Sequence, residues 1–203
     1  MNEPFFSVIV PAYNSSAWIR KGLDSIKAQS WTDYELIVVC DSCRDNTAEI
    51  AREYTDKVIE VEYHLDGMTR NAGIEAATGT WILFMDDDDW FLHEFVFQQL
   101  AEKVAGMENE LDMLLFSFIW KGRFYANQRP SRMWVAVWSK CWRREFIGET
   151  RFPPIPHWSD GPFMQEIIEK NPRIETWDMP MYYYNYLREG SISWRAHEGE
   201  IRG

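Results

Sequence analysis

Residues 86–89 are four consecutive aspartates that directly follow the apolar run 81–85. An apolar run of this length, bounded by Gly79 and the acids, is typical of a buried β-strand. Four carboxylates at the end of one strand repel each other, and a divalent cation relieves that repulsion most simply. In open α/β sheets, ligands bind at the carboxyl ends of the strands. The sequence therefore predicts a cation site here, in preference to the solvated turn that most acidic runs form.

The first half of the chain alternates apolar runs with segments of helical periodicity. Residues that can cap a helix, Ser15 or Ser16 and later Asp45 or Asn46, follow the first two apolar runs. This alternation predicts a parallel sheet with right-handed crossovers. The predicted strands are residues 6–10 (ended by Pro11), 34–40, 58–61 and 81–85, and the predicted helices start near residue 16, run from 46 to 54 and run from 69 to 77.

The second half has a looser pattern. It contains a predicted helix between residues 93 and 104, and another at 160–169. Residues 113–120 and 134–139 are predicted to be strands of a partly antiparallel extension, with a last strand near residues 182–184. No repeat or low-complexity linker separates the halves. We therefore expect one body of the α/β class, with a Rossmann-like, mixed sheet and helices on both faces.

The net charge of −11 limits the possible partners. Nucleic acids and anionic membranes require a basic surface, so we expect neither as a partner. An anionic nucleotide would need a cation as mediator, which agrees with the acidic cluster. No run reaches the roughly 18 apolar residues of a membrane-spanning helix, and the first residues lack the pattern of a signal peptide. We expect a cytoplasmic protein without an integral membrane segment.

The three cysteines are Cys40, Cys43 and Cys141. An odd count without a secretion signal predicts reduced thiols. Cys40 and Cys43 have the spacing of a redox pair, and a zinc site would need two further ligands that no second pair supplies. We favour incidental thiols over a redox role.

Four blocks of sequence lie in a characteristic order. They are residues 7–14 (SVIVPAYN), 38–47 (VVCDSCRDNT), 70–82 (beginning RNAG and ending GTWI) and 84–90 (FMDDDDW). Together they resemble glycosyltransferase family 2, whose members have a glycosyltransferase A-type fold. Weaker likeness at residues 138–140 and 190–193 extends the resemblance over about residues 5–193. It implies a metal-dependent, inverting glycosyltransferase that moves a sugar from a nucleotide donor, UDP-linked in our interpretation, to a hydroxyl acceptor such as a glycan in polysaccharide biosynthesis.

The resemblance implies a nucleotide site at the ends of the first two strands. Pro11, Tyr13 and Asn14 form the loop that meets the base, and Asp41 accepts a hydrogen bond from a uracil N–H. The alternative for Asp41 is a helix cap. Arg70 pairs with phosphate or holds an acid of the cluster, and the alternative is a surface arginine.

The resemblance also divides the acidic run into roles. Asp88 is the implied direct ligand of Mn²⁺ or Mg²⁺, and Asp86 lies toward the ribose or behind the ligand. Asp87 is grouped with the nucleotide-binding residues, with a less certain role than Asp86, and Asp89 is left without one. The cation would act as a Lewis acid on the departing diphosphate.

Inversion requires a base that takes the proton of the acceptor hydroxyl. The family has this acid at the start of a helix in the second half, and here that position is Asp160. Ser159 replaces the usual preceding acid, and the alternative for Asp160 is a helix cap. Trp90, Trp158 and Trp194 lie beside these segments and can stack on sugar rings. A final loop, residues 188–193, is expected to close over the diphosphate.

These roles divide the single domain into two halves. Residues 1–110 are the predicted nucleotide-sugar-binding half and residues 111–203 the predicted acceptor-binding half. Two alternatives remain open. A Mg²⁺-dependent phosphohydrolase would carry its D-x-D at the end of the first strand rather than the fourth. A non-catalytic nucleotide-sugar-binding protein would explain Cys40 and Ser159, which stand where the family has acids.

Overall fold

In the computed structural model, the protein is described at residues 3–107, 109–126, 135–185 and 191. Within these residues, nine strands form a single sheet. The strands are β1 Phe6–Ala12, β2 Tyr34–Asp41, β3 Val58–Val61, β4 Trp81–Phe84, β5 Trp90–Phe91, β6 Met113–Trp120, β7 Arg123–Tyr125, β8 Lys140–Arg143 and β9 Ile174–Tyr184. The α-helices are α1 Ile19–Lys27, α2 Thr47–Arg52, α3 Asp66–Ala76, α4 Val96–Val104, α5 Arg144–Ile147 and α6 Asp160–Glu169, and a 3-10 helix lies at Val137–Ser139.

The strand order is β3-β2-β1-β4-β8-β6-β9-β5, with β7 paired to β6. The first four strands are parallel, as predicted. β8 then runs antiparallel to both β4 and β6, whereas β9 is parallel to β6 and antiparallel to β5. The predicted mixed sheet with an antiparallel extension is confirmed.

Helices cover both faces of this sheet, because successive side chains of a strand point to opposite sides. Val8 and Val10 of β1 belong to one buried apolar cluster, and Ile9 belongs to the other. Helices α1, α2 and α4 contribute to the first cluster, and α3, α5 and α6 contribute to the second. The prediction of helices on both faces is confirmed.

The parallel register brings three strand ends to one edge of the sheet. Ala12 of β1 is paired with Cys40 of β2, and Ile9 of β1 is paired with Phe84 of β4. The chain therefore leaves β1, β2 and β4 at the same edge. The Tyr13 loop, Asp41 and the acidic turn at residues 86–89 all emerge there, as the predicted site requires.

Pro11 continues the first strand, contrary to the prediction that it ends there. β4 pairs with β1 only as far as Ile9, so Pro11 has a sheet partner on one side, Val39 of β2. Proline is tolerated where a strand needs no N–H donor on one of its sides.

The predicted strand at residues 134–139 is wrong. Val137–Ser139 form a 3-10 helix, and the strand β8 begins only at Lys140. Val137 and Trp138 are buried, but burial alone does not distinguish a short strand from a buried helical turn. Residue 134 lies outside the described residues.

Helix α3 begins at Asp66, three residues before its predicted start, so its first turn carries an acid that was not predicted to lie in a helix.

In the described part of the chain, no helix combines the length and apolar character needed to cross a membrane. The assignment of residues 1–110 to the donor and 111–203 to the acceptor stays a prediction, as does the cytoplasmic location.

Candidate active site

Arg70 holds the first aspartate of the acidic turn. Its Nη2 atom lies 2.7 Å from Asp86 Oδ1, and its Nη1 atom lies 2.9 Å from Asp66 Oδ2, one turn earlier in α3. Arg70 is 6% exposed, and its guanidinium also lies 5.8 Å from the centre of the Phe152 ring. Of the two roles predicted for Arg70, the contact with an acid of the cluster is the one made in this structure. A buried arginine with two carboxylates fixes the position of Asp86.

The last aspartate, Asp89, is fully buried and bound by neutral donors. The Tyr182 hydroxyl donates to its Oδ2 at 2.7 Å, and the Asn185 N–H donates to its Oδ1 at 2.7 Å. The same tyrosine oxygen accepts the N–H of Asp86 at 3.0 Å. Burial, followed by the charges of Asp88 and Asp86, raises the pKa of Asp89 well above its usual value. Asp89 therefore holds the shape of the turn, because both of its carboxylate oxygens already accept hydrogen bonds from the chain.

Glycine 22 allows α1 to approach this turn. A Cβ atom at Gly22 would lie 2.6 Å from the carbonyl oxygen of Asp89 and 2.7 Å from the Met85 side chain. Real Cβ atoms do not approach a backbone oxygen so closely, so any larger residue would displace the turn from the helix.

Asp87 connects the acidic turn to the loop after β1. The Tyr13 N–H donates to Asp87 Oδ2 at 3.1 Å, and the Tyr13 side chain is 56% exposed at the same edge. Asn14, which has a positive φ of 45°, accepts the Arg44 N–H on its Oδ1 at 2.7 Å. The predicted loop residues and Asp87 are therefore brought together.

Asp88 is the partly exposed neighbour of the buried Asp87 and Asp89. Within the described ranges, no three His, Cys, Asp or Glu side chains converge to form a metal site by themselves. Mg²⁺ is commonly held by one or two carboxylates, with substrate phosphates and water completing the shell. Asp88, with the fixed Asp86 beside it, fits such a partial donor set for Mg²⁺ or Mn²⁺.

Asp41, at the end of β2, is only 4% exposed and organises the chain that follows β3. Burial alone would raise its pKa, but hydrogen bonds from the His64 N–H, the Ser42 hydroxyl and other donors outweigh burial and lower it. The predicted contact between Asp41 and a base stays a prediction, and it would require one of these donors to move. The donors are Ser42 Oγ at 2.8 Å, Tyr63 N at 2.8 Å and His64 N at 3.0 Å on Oδ1, and Leu65 N at 3.0 Å and Thr69 Oγ1 at 2.9 Å on Oδ2.

Asp160 begins α6 and belongs to the same electrostatic group as Arg70 and Asp86. Burial raises the pKa of Asp160 to about 6. The positive charge of Arg70 opposes this shift, while the negative charges of Asp86 and Asp66 add to it. An acid with a pKa near neutrality can both take and return a proton. The electrostatics therefore suit Asp160 to the role of base, while its catalytic use stays a prediction.

Lys140, a fully buried cation that also acts on Asp160, was not predicted to be a site residue. Its ammonium donates to the Ala136 carbonyl oxygen and lies 6.0 Å from the centre of the Trp142 ring. Burial lowers the pKa of Lys140 to about 7, and the charge of Asp160 opposes that shift. The only signal in the sequence was that Lys140 is the last residue of the weaker family likeness at residues 138–140.

Ser159, which replaces the family acid, is fully buried against the start of α3. Its Oγ lies 3.4 Å from both carboxylate oxygens of Asp66, and a Cβ at Gly67 would lie 2.9 Å from it. A buried carboxylate here would face the partly exposed Asp66 at close range, so serine avoids repulsion between like charges. The preceding residue, Trp158, has a positive φ of 63° and is 45% exposed.

Trp90 and Trp158, both predicted to stack on sugars, differ in what they already contact. The Trp90 ring stacks on Tyr183 at 4.1 Å, and the Lys21 ammonium lies 3.0 Å from its centre. Trp158 offers more open surface, two residues from Asp160. Trp194 and, apart from residue 191, the predicted closing loop 188–193 lie outside the described residues.

Comparison with known proteins agrees with this arrangement. The sequence profile described as Glycosyl transferase family 2 matches residues 7–161. The uncharacterized glycosyltransferase EpsJ of Bacillus subtilis (strain 168) is 30% identical over 89% of this chain and 61% of its own length. The chain thus spans less than two thirds of this relative.

Solved structures share the fold. S. aureus TarS 1–349 in complex with UDP-GlcNAc superposes with a TM-score of 0.78 at 27% identity, covering 92% of this chain and 59% of the other. The mannosyltransferase PcManGT from Pyrobaculum calidifontis, in complex with GDP-Man and Mn²⁺, superposes with a TM-score of 0.74 at 18% identity, covering 98% and 62%. The predicted glycosyltransferase A-type fold is confirmed.

Proposed function

The chain belongs to glycosyl transferase family 2, and from this premise we propose that it is a metal-dependent, inverting glycosyltransferase. It transfers a sugar from a UDP-linked donor to a hydroxyl group of an acceptor such as a glycan. The observation that carries the proposal is the group around Arg70. Arg70 fixes Asp86 and acts together with it on Asp160, a carboxyl with a pKa of about 6, at the ligand-binding edge of the sheet, and Asp88 follows Asp86 by two residues.

The loop after β1 is proposed to receive the nucleotide. Pro11 keeps the strand end rigid, the exposed Tyr13 ring offers a face to the base, and Asn14 ties the loop to the β2–α2 turn. Asp87 holds the Tyr13 backbone against the acidic turn, which keeps base and diphosphate positions at a constant separation. The TarS structure, which is 27% identical, holds UDP-GlcNAc, and this supports a UDP-linked donor.

Asp88 is the proposed ligand of Mn²⁺ or Mg²⁺, with Asp86 beside it. The cation would neutralise negative charge on the departing diphosphate. Arg70 keeps Asp86 in place through its ion pair, and the hydrogen bond between Tyr182 and Asp89 holds the other end of the turn. These contacts preorganise the acidic turn, so little rearrangement is needed when a donor arrives.

Asp160 is the proposed base. In its ionised form it takes the proton of the acceptor hydroxyl as that oxygen attacks the anomeric carbon, while the bond from that carbon to the diphosphate breaks. One displacement inverts the configuration at that carbon. The exposed indole of Trp158 suits the acceptor, because an aromatic face stacks on a sugar ring.

The test measures turnover with a panel of UDP-sugars and Mn²⁺, following UDP release and the anomeric configuration of the product by NMR. Asp160→Asn should lose about 10²- to 10⁴-fold in turnover while still binding UDP. Asp33→Asn is the matched control, because Asp33 is exposed and precedes β2 at the opposite edge of the sheet. Unchanged turnover in Asp160→Asn would show that the base is another group. Binding of UDP without turnover of any donor would favour the non-catalytic alternative.

A further inference from the structure

Cys40 and Cys43 are two free cysteines that lie at the same edge of the sheet. Cys40 is the penultimate residue of β2 and is 1% exposed, whereas Cys43 is partly exposed. Both side chains pack against the same apolar cluster, and Cys43 contacts Ala12, the residue of β1 that is paired with Cys40 in the sheet. The spacing of a redox pair, given no role above, is thus accompanied by packing of the two side chains at one place in the fold.

Cys43 also contacts the loop that precedes Tyr13 and Asn14. Its sulfur lies 3.5 Å from the carbonyl oxygen of Ala12 and accepts a hydrogen bond from the Asn14 N–H. The hydrogen bond from Cys40 lowers the pKa of Cys43, burial opposes this, and the Asn14 N–H adds to the lowering. A partly exposed sulfur whose thiolate is stabilised is the member of a pair that reacts first.

We propose that Cys40 and Cys43 are a reversible dithiol–disulfide pair, and that their oxidation weakens the binding of a nucleoside diphosphate. The second half of this statement rests on the proposed function, because it requires the Tyr13 loop to bind the nucleotide. The first half rests only on the two sulfurs and their neighbours.

The oxidant is of the hydroperoxide class. The Cys43 thiolate attacks one peroxide oxygen, so that a sulfur–oxygen bond forms, the oxygen–oxygen bond breaks and the departing oxygen takes up the proton that the thiol released. The Cys40 sulfur then attacks the sulfenic acid of Cys43. A disulfide forms, and the hydroxyl leaves as water with the Cys40 proton. Two thiols and one hydroperoxide thus give one disulfide, one water and one alcohol or second water.

The disulfide would change the contacts of the nucleotide loop. A sulfur–sulfur bond is about 2.05 Å long, shorter than any contact between two thiols, so Cys43 must move toward Cys40. It also loses the S–H that faces Ala12 and becomes a weaker acceptor for the Asn14 N–H. Both contacts flank Tyr13, so oxidation acts on the segment that is proposed to hold the base.

The experiment uses the full chain before and after treatment with hydrogen peroxide. Thiols are counted under denaturing conditions, and UDP affinity in the presence of Mn²⁺ is measured by calorimetry. The reduced protein should give three thiols and the oxidised protein one, because the fully buried Cys141 serves as an internal reference. Dithiothreitol should restore three. UDP affinity should fall by about fivefold or more on oxidation, the lower end of typical coupling between sites.

Two variants make the result specific. Cys43→Ser should retain its UDP affinity after peroxide, whereas Cys141→Ala should respond as the wild type does. Three thiols after peroxide would show that no disulfide forms and would overturn the proposal. One thiol with unchanged UDP affinity would show that the disulfide forms but does not weaken nucleotide binding. A reduced protein that does not bind UDP would contradict the proposed function and this control together, while the thiol count still decides whether the disulfide forms.

Discussion

The ends of β2 and β4 both place aspartate at the same edge of the sheet, yet the two regions shift the pKa of a buried carboxyl in opposite directions. Asp41, at the end of β2, accepts hydrogen bonds from five groups of its own chain, and its pKa is lowered. The turn after β4 concentrates four carboxylates, and the pKa of its innermost member, Asp89, is raised. The donors around a carboxylate, rather than its position at a strand end, decide which charge state the fold favours.

Helix α3 connects the two regions through adjacent residues. Thr69 contacts Asp41, and Arg70 contacts Asp86. A buried carboxylate with a full set of donors stabilises the fold, because its charge is already compensated. A turn with several carboxylates retains negative charge that a bound cation can neutralise. We therefore expect a structural role for the β2 end and a ligand-binding role for the β4 end.

The largest expected effect concerns the β4 end. Asp88→Asn removes the proposed metal ligand, so turnover of a UDP-sugar should fall on the order of 10²- to 10³-fold. Its free energy of unfolding should stay equal or rise, because the repulsion among the carboxylates of the turn decreases. Turnover assays and urea denaturation of the same preparation test both statements, with Asp33→Asn as the control for net charge. Full activity of Asp88→Asn would contradict the ligand-binding role expected for the β4 end.

The same substitution at the β2 end should act on stability instead. Asp41→Asn turns one acceptor oxygen into a donor that faces Leu65 N–H and the Thr69 hydroxyl, so the free energy of unfolding should fall by about 3 kcal/mol. Urea denaturation measures this change. In the folded variant, the affinity for UDP should remain within about threefold of wild type, since indirect effects here are small. Unchanged stability with lost UDP affinity would instead support the predicted contact between Asp41 and the base.

A third prediction concerns the pH dependence of Asp160. Because the base must be ionised, kcat/KM should fall about tenfold per pH unit below its pKa of about 6. Lys140→Met should move this midpoint to higher pH, since the positive charge of Lys140 lowers the pKa of Asp160. A pH–rate profile of both proteins is the measurement. A midpoint near 4, or one that Lys140→Met leaves in place, would contradict the assignment.

The raised pKa also has a consequence for stability. Between the usual value of 3.8 and the folded value of about 6, the unfolded chain ionises Asp160 before the folded chain does. The contribution of this group to folding therefore decreases as pH rises through that range. Asp160→Asn lacks the effect, so its stability relative to wild type should be higher at pH 8 than at pH 4.

The smallest effect is expected at Asp89. Because burial raises the pKa of Asp89, a neutral amide of similar shape changes little beyond the hydrogen bond from the Tyr182 hydroxyl, and Asp89→Asn should cost about 1 kcal/mol. Chemical denaturation at neutral pH compares it with Asp41→Asn. A cost at Asp89 equal to or above that at Asp41 would contradict the opposite pKa shifts of the two buried carboxylates.

The parallel half of the fold and the edge that carries the site were predictable because they depend on continuous apolar runs. Residues 36–39 and 81–84 are buried, and such continuous apolar runs are typical of parallel strands that are covered on both faces of the sheet. The 3-10 helix at Val137–Ser139 was not predictable, because its burial depends on the stacking of Trp138 on Tyr182, far along the chain.

The different environments of the aspartates could not be predicted from the sequence for a similar reason. Arg70 and Asp160 were recognisable from family likeness, but the pKa of Asp89 is raised by its burial, beside Tyr182 of the distant strand β9. Five donors converge on Asp41 only because Thr69 and the loop before α3 fold back over it. Contacts between distant segments, which local patterns do not record, set these environments.

The most direct test of the central claim is calorimetric titration of UDP with and without Mn²⁺ into wild type, Asp88→Asn and Asp41→Asn. If the β4 end binds the diphosphate through a cation, Mn²⁺ should strengthen UDP binding by about tenfold or more in wild type and in Asp41→Asn, and should have no effect in Asp88→Asn. UDP binding that is independent of Mn²⁺ in wild type, or equally dependent on it in Asp88→Asn, would contradict the account.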